Sequence, residues 1–71
     1  MTFTLKDDYI ELYKLLKVLD LVDSGAQAKQ LVAEGHVRRN GEVELRKRAK
    51  ILAGEIIEIA DVSITVLGKS S

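Results

Sequence analysis

The hydrophobic period of this chain changes at a single residue, Gly35, and that change restricts the fold more than any other feature. Before it, VDSGAQAKQLVAEG reads as a helix with both ends marked. Ser24 is placed to cap the N-terminus, and Gln27 completes a Ser-x-x-Gln box in which two side chains satisfy otherwise unpaired backbone N–H groups. Ala28, Leu31 and Val32 form the stripe that must be buried. Gly35 stands where a helix commonly ends in a left-handed residue, a conformation glycine adopts without a Cβ clash. After Gly35 the period is two. HVRR-NG-EVEL reads as a β-hairpin, because Asn-Gly suits the positive φ angles of a tight hairpin turn. A capped helix running directly into a hairpin predicts an α+β fold.

The register of that hairpin has two solutions. A strict two-residue turn pairs Arg39 with Glu42, and leaves Val37 on the opposite face from Val43 and Leu45. A bulge at Gly41 pairs Arg39 with Val43 and Val37 with Leu45, so the apolar residues share a face. The bulged register is therefore expected, with Arg38, Glu44 and Arg46 pointing outward.

Upstream, FTLK (residues 3–6) alternates apolar and polar and suits a short edge strand. DDYIELYKLLKVLDL then turns helical: Leu12, Leu15, Leu16 and Leu19 recur at helical spacing, and Lys14 and Lys17 fall off the stripe. Asp8 with Glu11 reads as a variant capping box. The short link from Asp20 to Asp23 requires the two helices to pack as a tight pair. Downstream, RKRAK has no apolar alternation and reads as an exposed basic loop, closed at its far end by Ile51 and Leu52. Ala53-Gly54 and Ala60-Asp61 read as turns. Ile57 and Ile59 mark one strand, Ile64 and Val66 another, and GKSS reads as a frayed tail. The expected architecture is one domain, residues 1–71 with its core at about 8–67. In it two packed N-terminal helices lie against a small, mostly antiparallel sheet.

Charge is what speaks to function. The chain has 11 basic and 11 acidic residues, so it is formally neutral. Yet residues 38–50 hold Arg38, Arg39, Arg46, Lys47, Arg48 and Lys50 against Glu42 and Glu44, which puts that window at +4 and the remainder at −4. A local basic field attracts an anion whatever the total charge. Four of the six cations are arginine, whose planar fork suits phosphate. Catalysis has no comparable signal. There is one histidine and no cysteine, and no metal-ligand spacing, phosphate-binding glycine loop or nucleophile with a nearby base. His36, at the helix–strand junction, reads as a surface or structural residue. Phe3, Tyr9 and Tyr13 fit packing roles, which argues against a stacking platform for single strands and favours structured, phosphate-rich RNA. No cofactor, metal or small-molecule substrate is expected. No apolar run approaches a membrane span of ~18 residues, and the N-terminus does not read as a secretory signal, so a cytoplasmic monomer is expected.

The order of these elements resembles the RNA-binding domain first described in small-subunit ribosomal protein S-four, also called the alpha-L motif. The family pattern has a leucine-rich helix, then a serine and a helix ending in glycine. A hydrophobic strand, Asn-Gly, a variable loop and Val-x-x-Gly-Asp-x-Ile-x-Ile follow. Here those places are taken by Leu12 to Leu19, Ser24, Ala28, Leu31, Gly35, Val37, Asn40, Gly41, Ile51, Gly54, Ile57 and Ile59. The SGAQAK segment and the Arg-Lys-Arg run are similar to the small stand-alone bacterial members. The chain departs from the pattern at three places. Gly25 follows the capping serine where many members have arginine, Arg39 replaces an apolar strand residue, and Glu55 replaces the aspartate after Gly54.

The resemblance implies an RNA-binding face formed by the helical pair and the hairpin loop. Its expected members are Gln27 and Lys29 on the second helix, with Arg38, Arg39, Asn40, Arg46, Lys47, Arg48 and Lys50 opposite. Two alternatives stay open: a module docking an acidic protein through the same patch, and an accessory subunit of an RNA-modifying enzyme.

Overall fold

The computed structural model describes residues 1–69. The elements run β1 (Thr2–Thr4), β2 (Ile10–Glu11), α1 (Leu12–Val18), α2 (Gly25–Ala33), β3 (Val37–Arg39), β4 (Glu42–Val43), β5 (Lys50–Ile51), β6 (Ile56–Ile59) and β7 (Val62–Leu67). The fold is α+β as expected. Two strands precede the first helix, and the main sheet is mixed. Its order is β1-β7-β6-β3-β4, and β1 pairs with β7 in parallel while its other pairs are antiparallel. A two-stranded ribbon, β2 with β5, stands apart from it.

The leucine stripe and the strand alternation meet in one core. Leu12, Leu15 and Leu16 of α1 and Ala28 and Val32 of α2 are fully buried, as are Val37, Ile51, Ile57, Ile64 and Val66 of the strands. Fully burying one such aliphatic side chain stabilises the fold by roughly 1.5–3 kcal/mol.

The second helix ends where the sequence places its ends. Ser24 Oγ accepts the Gln27 N–H at 3.1 Å, while Gln27 Oε1 accepts the Asp23 N–H at 2.6 Å, one residue before the usual box partner. At the other end Gly35 has φ +82°; its N–H donates to Val32 O and that of His36 donates to Leu31 O. This double bond pattern is a Schellman closure. α1 closes in the same way around Asp20, at φ +60°, with Asp20 N–H to Lys17 O and Leu21 N–H to Leu16 O.

The start of α1 differs from expectation. The helix begins at Leu12, and Glu11 makes no capping bond with its side chain. Asp8 instead lies 2.9 Å from Lys69 Nζ. The basic loop does the capping: Ala49 O accepts the Leu12 N–H and Lys47 O accepts the Tyr13 N–H, each at 3.0 Å. Two of the four N–H groups that any helix start leaves unpaired are thus satisfied by loop carbonyls. The tail expected to fray contributes Lys69 to that ion pair with Asp8; Ser70 and Ser71 lie outside the described residues.

The hairpin also takes the other register. Arg39 pairs with Glu42 and Arg38 with Val43 across an Asn40-Gly41 turn, with φ +53° and +88° and no bulge. Val43 and Leu45 consequently lie outside, 52% and 60% exposed, and Glu44 lies inside at 9%. Apolar matching does not decide this hairpin, because Arg39 needs a carboxylate on the inner face and Glu44 supplies it. Val43 and Leu45 are not wholly abandoned. Their side chains reach within 3.7 and 3.9 Å of the position a Cβ on Gly35 would occupy, over the last turn of α2.

Candidate nucleic-acid interface

Four charged residues form the floor of the basic region. Arg39 Nη2 and Nε donate to Glu55 Oε1 at 2.7 and 3.1 Å, Nη1 donates to Glu44 Oε1 at 3.2 Å, and Nη2 also donates to Lys50 O at 2.9 Å. Glu44 further accepts the Arg46 backbone N–H at 3.2 Å and Arg46 Nε at 3.1 Å. Glu55 Oε2 accepts the Leu52 N–H at 2.9 Å, which ties the Ala53-Gly54 turn to the same network. The Arg46 side chain and backbone, then Arg39, hold the Glu44 carboxyl at about 2, far below its ordinary value of 4.5. The Glu55 carboxylate raises the Arg39 pKa above its usual value in turn.

The expected site residues therefore separate into two groups. Arg39 is a strut, its guanidinium spent on two carboxylates and a carbonyl. Asn40 is a turn residue whose Oδ1 accepts the Ile56 N–H at 2.9 Å and whose own N–H donates to Ile56 O. Gln27 is exposed, with its side-chain oxygen already accepting from Asp23. The second group is free to meet a ligand. Lys47, Arg48 and Lys50 are exposed and make no ion pair among the described residues. Arg46 is paired through Nε and Nη2 with Glu44, yet its side chain is 75% exposed.

Arg39, Arg46, Arg48, Ala49 and Lys50 line one concavity of about 420 Å³. Lys29 joins this region through Tyr13: its Nζ sits 4.7 Å from the centroid of the Tyr13 ring, and the Tyr13 N–H is the one bonded to Lys47 O. Gly25 lies under the same ring, where an added Cβ would stand 3.8 Å from Tyr13 Cδ2. Arg38 is not brought to this group. It alternates with Arg39 along β3 and lines a separate recess with Leu21, Leu31 and His36.

Sequence reasoning missed the roles of Glu44 and Glu55; Tyr13 packs against the core as expected, while Tyr9 is exposed. Glu55 and Arg39 had a visible signal, since both depart from the family pattern and they are partners in the folded protein. Glu44 had none beyond its place between two arginines. His36 is exposed beside Glu34 at 3.5 Å, and no cluster of metal-binding side chains occurs among the described residues. Among the described residues no helix is long and apolar enough to cross a membrane.

Helical pair, capped second helix, Asn-Gly hairpin and basic loop together define a class, and the chain belongs to the S4 domain family, whose model matches residues 3–67. It is 48% identical over 67 residues to the "Putative RNA-binding protein YbcJ" of Escherichia coli (strain K12), across 93% of this chain and 96% of that one. It is 35% identical over 52 residues to the "Probable ribosome maturation protein RlbA" of Bacillus subtilis (strain 168), across 73% of each chain. The solution structure of E. coli YbcJ, described as revealing an alfaL motif involved in RNA-binding, superposes with a TM-score of 0.71. That match covers 93% of this chain and 85% of the other.

Proposed function

We propose that this protein binds structured RNA, without chemistry of its own, through the loop of residues 46–50 and the adjoining side of α2. The observation that carries the reading is the division of labour among the cations. Arg39 and Arg46 are paired with carboxylates, while Lys47, Arg48 and Lys50 project unpaired, among the described residues, from a segment whose backbone is already fixed by α1. A preformed loop loses little conformational entropy on binding, so its charges act at full effect on phosphate. Lys29, Arg46 and, from the other face of β3, Arg38 extend the positive field. The relative named for ribosome maturation favours ribosomal RNA as the class of target.

The test is a salt series. Each phosphate contact contributes roughly 0.7 to 0.9 to the slope of log affinity against log salt. Replacing Lys47, Arg48 and Lys50 together by alanine should leave the melting temperature nearly unchanged and make the slope for a structured RNA shallower by about 2 to 3. A folded triple variant with wild-type affinity and slope would remove this loop from the interface. Binding of an acidic protein, with none of any RNA at low salt, would favour the docking alternative.

A further inference from the structure

Tyr9 is 41% exposed, contrary to the packing role expected of it, and the Lys50 Nζ lies 5.0 Å from the centroid of its ring. Glu11, two residues after Tyr9, is the Cα partner of Lys50 across β2 and β5. Lys50 thus stands between two recesses. On one side is the concavity it shares with Arg39, Arg46 and Arg48, whose charged lining is all positive. On the other, Tyr9 borders a cleft of about 770 Å³ walled by Ile10 and Val18 and lined also by Asp7, Asp8, Glu11, Lys14 and Lys17, with Lys14 paired to Glu11 at 3.2 Å and Lys69 to Asp8 at 2.9 Å. Its charges are of both signs and largely matched, so it attracts a phosphate less than the first recess does. Its carboxylates accept hydrogen bonds from the amino groups of a base, and an exposed tyrosine ring offers a face on which a base stacks.

We infer that the interface takes an unpaired nucleotide, its phosphate between Arg48 and Lys50 and its base stacked on Tyr9 at the mouth of the cleft walled by Ile10 and Val18. The inference rests on the RNA-binding reading and narrows its target class. A continuous duplex keeps its bases stacked inside, so the partner must be a helical RNA with a bulged, looped or splayed base beside the segment the loop grips.

The experiment compares a fully paired hairpin RNA with the same hairpin carrying one bulged nucleotide. The proteins are the wild type, Tyr9→Ala and Tyr9→Trp. The chain contains no tryptophan, so Tyr9→Trp is a sole fluorescent reporter at the site. Wild type should prefer the bulged hairpin. Tyr9→Ala should weaken that complex by about 5- to 150-fold, the range for removing one stacked base, and leave both the paired hairpin and the salt slope unaltered. Tyr9→Trp should keep the affinity and lose fluorescence on binding the bulged RNA only. The inference is overturned if folded Tyr9→Ala binds both RNAs like wild type, or if it loses both equally. Should Tyr9→Ala fail to fold, an unquenched Tyr9→Trp bound to the bulged hairpin overturns it instead. The RNA reading fails separately, if wild type binds no RNA at low salt; the loop's part in it fails if the Lys47, Arg48 and Lys50 triple variant binds every RNA undiminished. Loss of binding by the triple variant together with indifference of Tyr9→Ala removes the stacking site alone.

Discussion

Glu44 carries a charge into a nearly closed position and keeps it, because Arg46 donates to both its oxygens and Arg39 to one of them. Its folded-state pKa of about 2 lies below the ordinary 4.5, so folding favours the ionised form. The resulting stabilisation is complete above about pH 4.5 and is lost as the pH falls through about 2. Melting followed across that interval should show wild type losing stability more steeply than Glu44→Gln, and parallel curves would contradict the assignment. Arg39 and Arg48 offer a second comparison. Arg39→Ala strips donors from Glu44 and Glu55 and should destabilise by about 1–3 kcal/mol, the cost of leaving such groups unsatisfied. Arg48→Ala, at an exposed and unpaired position, should stay within about 0.5 kcal/mol by the same denaturation measurement. Composition shows six cations in one window and cannot divide them this way. The division depends on which face each residue takes, and the face depends on a register that local apolar pairing misjudges.

The two helix ends show what does survive from sequence to element. Ser24, Gln27 and Gly35 act over a few bonds within their own segment, and so were legible before any tertiary contact was known. The start of α1 was not, because its partners, Lys47 and Ala49, lie more than thirty residues further along the chain. Turns divide similarly. Asn40-Gly41 announces itself, whereas Ala60 takes φ +51° with neither glycine's freedom nor a polar side chain to bond locally. Left-handed backbone costs an ordinary residue roughly 1–2 kcal/mol, and glycine gives back about 0.5–1 kcal/mol in entropy. Ala60→Gly should therefore raise stability by up to about 1 kcal/mol. Gly35→Val should lower it by about 1 kcal/mol or more through backbone strain, since the space for a Cβ is adequate there. Chemical denaturation of both variants decides the matter; equal effects of one sign would show that φ is not the controlling variable.

At the scale of the molecule, β1 and β7 bring the two ends of the chain into adjacent strands that run the same way, Thr2 beside Thr65 and Thr4 beside Leu67. The sequence suggested an edge strand at this point but carried no sign of its direction, since alternation is the same for parallel and antiparallel partners. Direction decides how the fold bears a mechanical load. Tension applied at residues 1 and 69 pulls β1 backward and β7 forward along their common axis, so their hydrogen bonds are sheared together. Tension applied at Ile56 and Leu67 opens the antiparallel β6–β7 hairpin from its free end, breaking bonds in succession. The chain has no cysteine, so a pair of introduced cysteines would make unambiguous handles for either geometry. Single-molecule force spectroscopy should record a clearly higher rupture force through the terminal handles than through the hairpin handles. A protein of this size would then resist being drawn out lengthwise better than its length suggests.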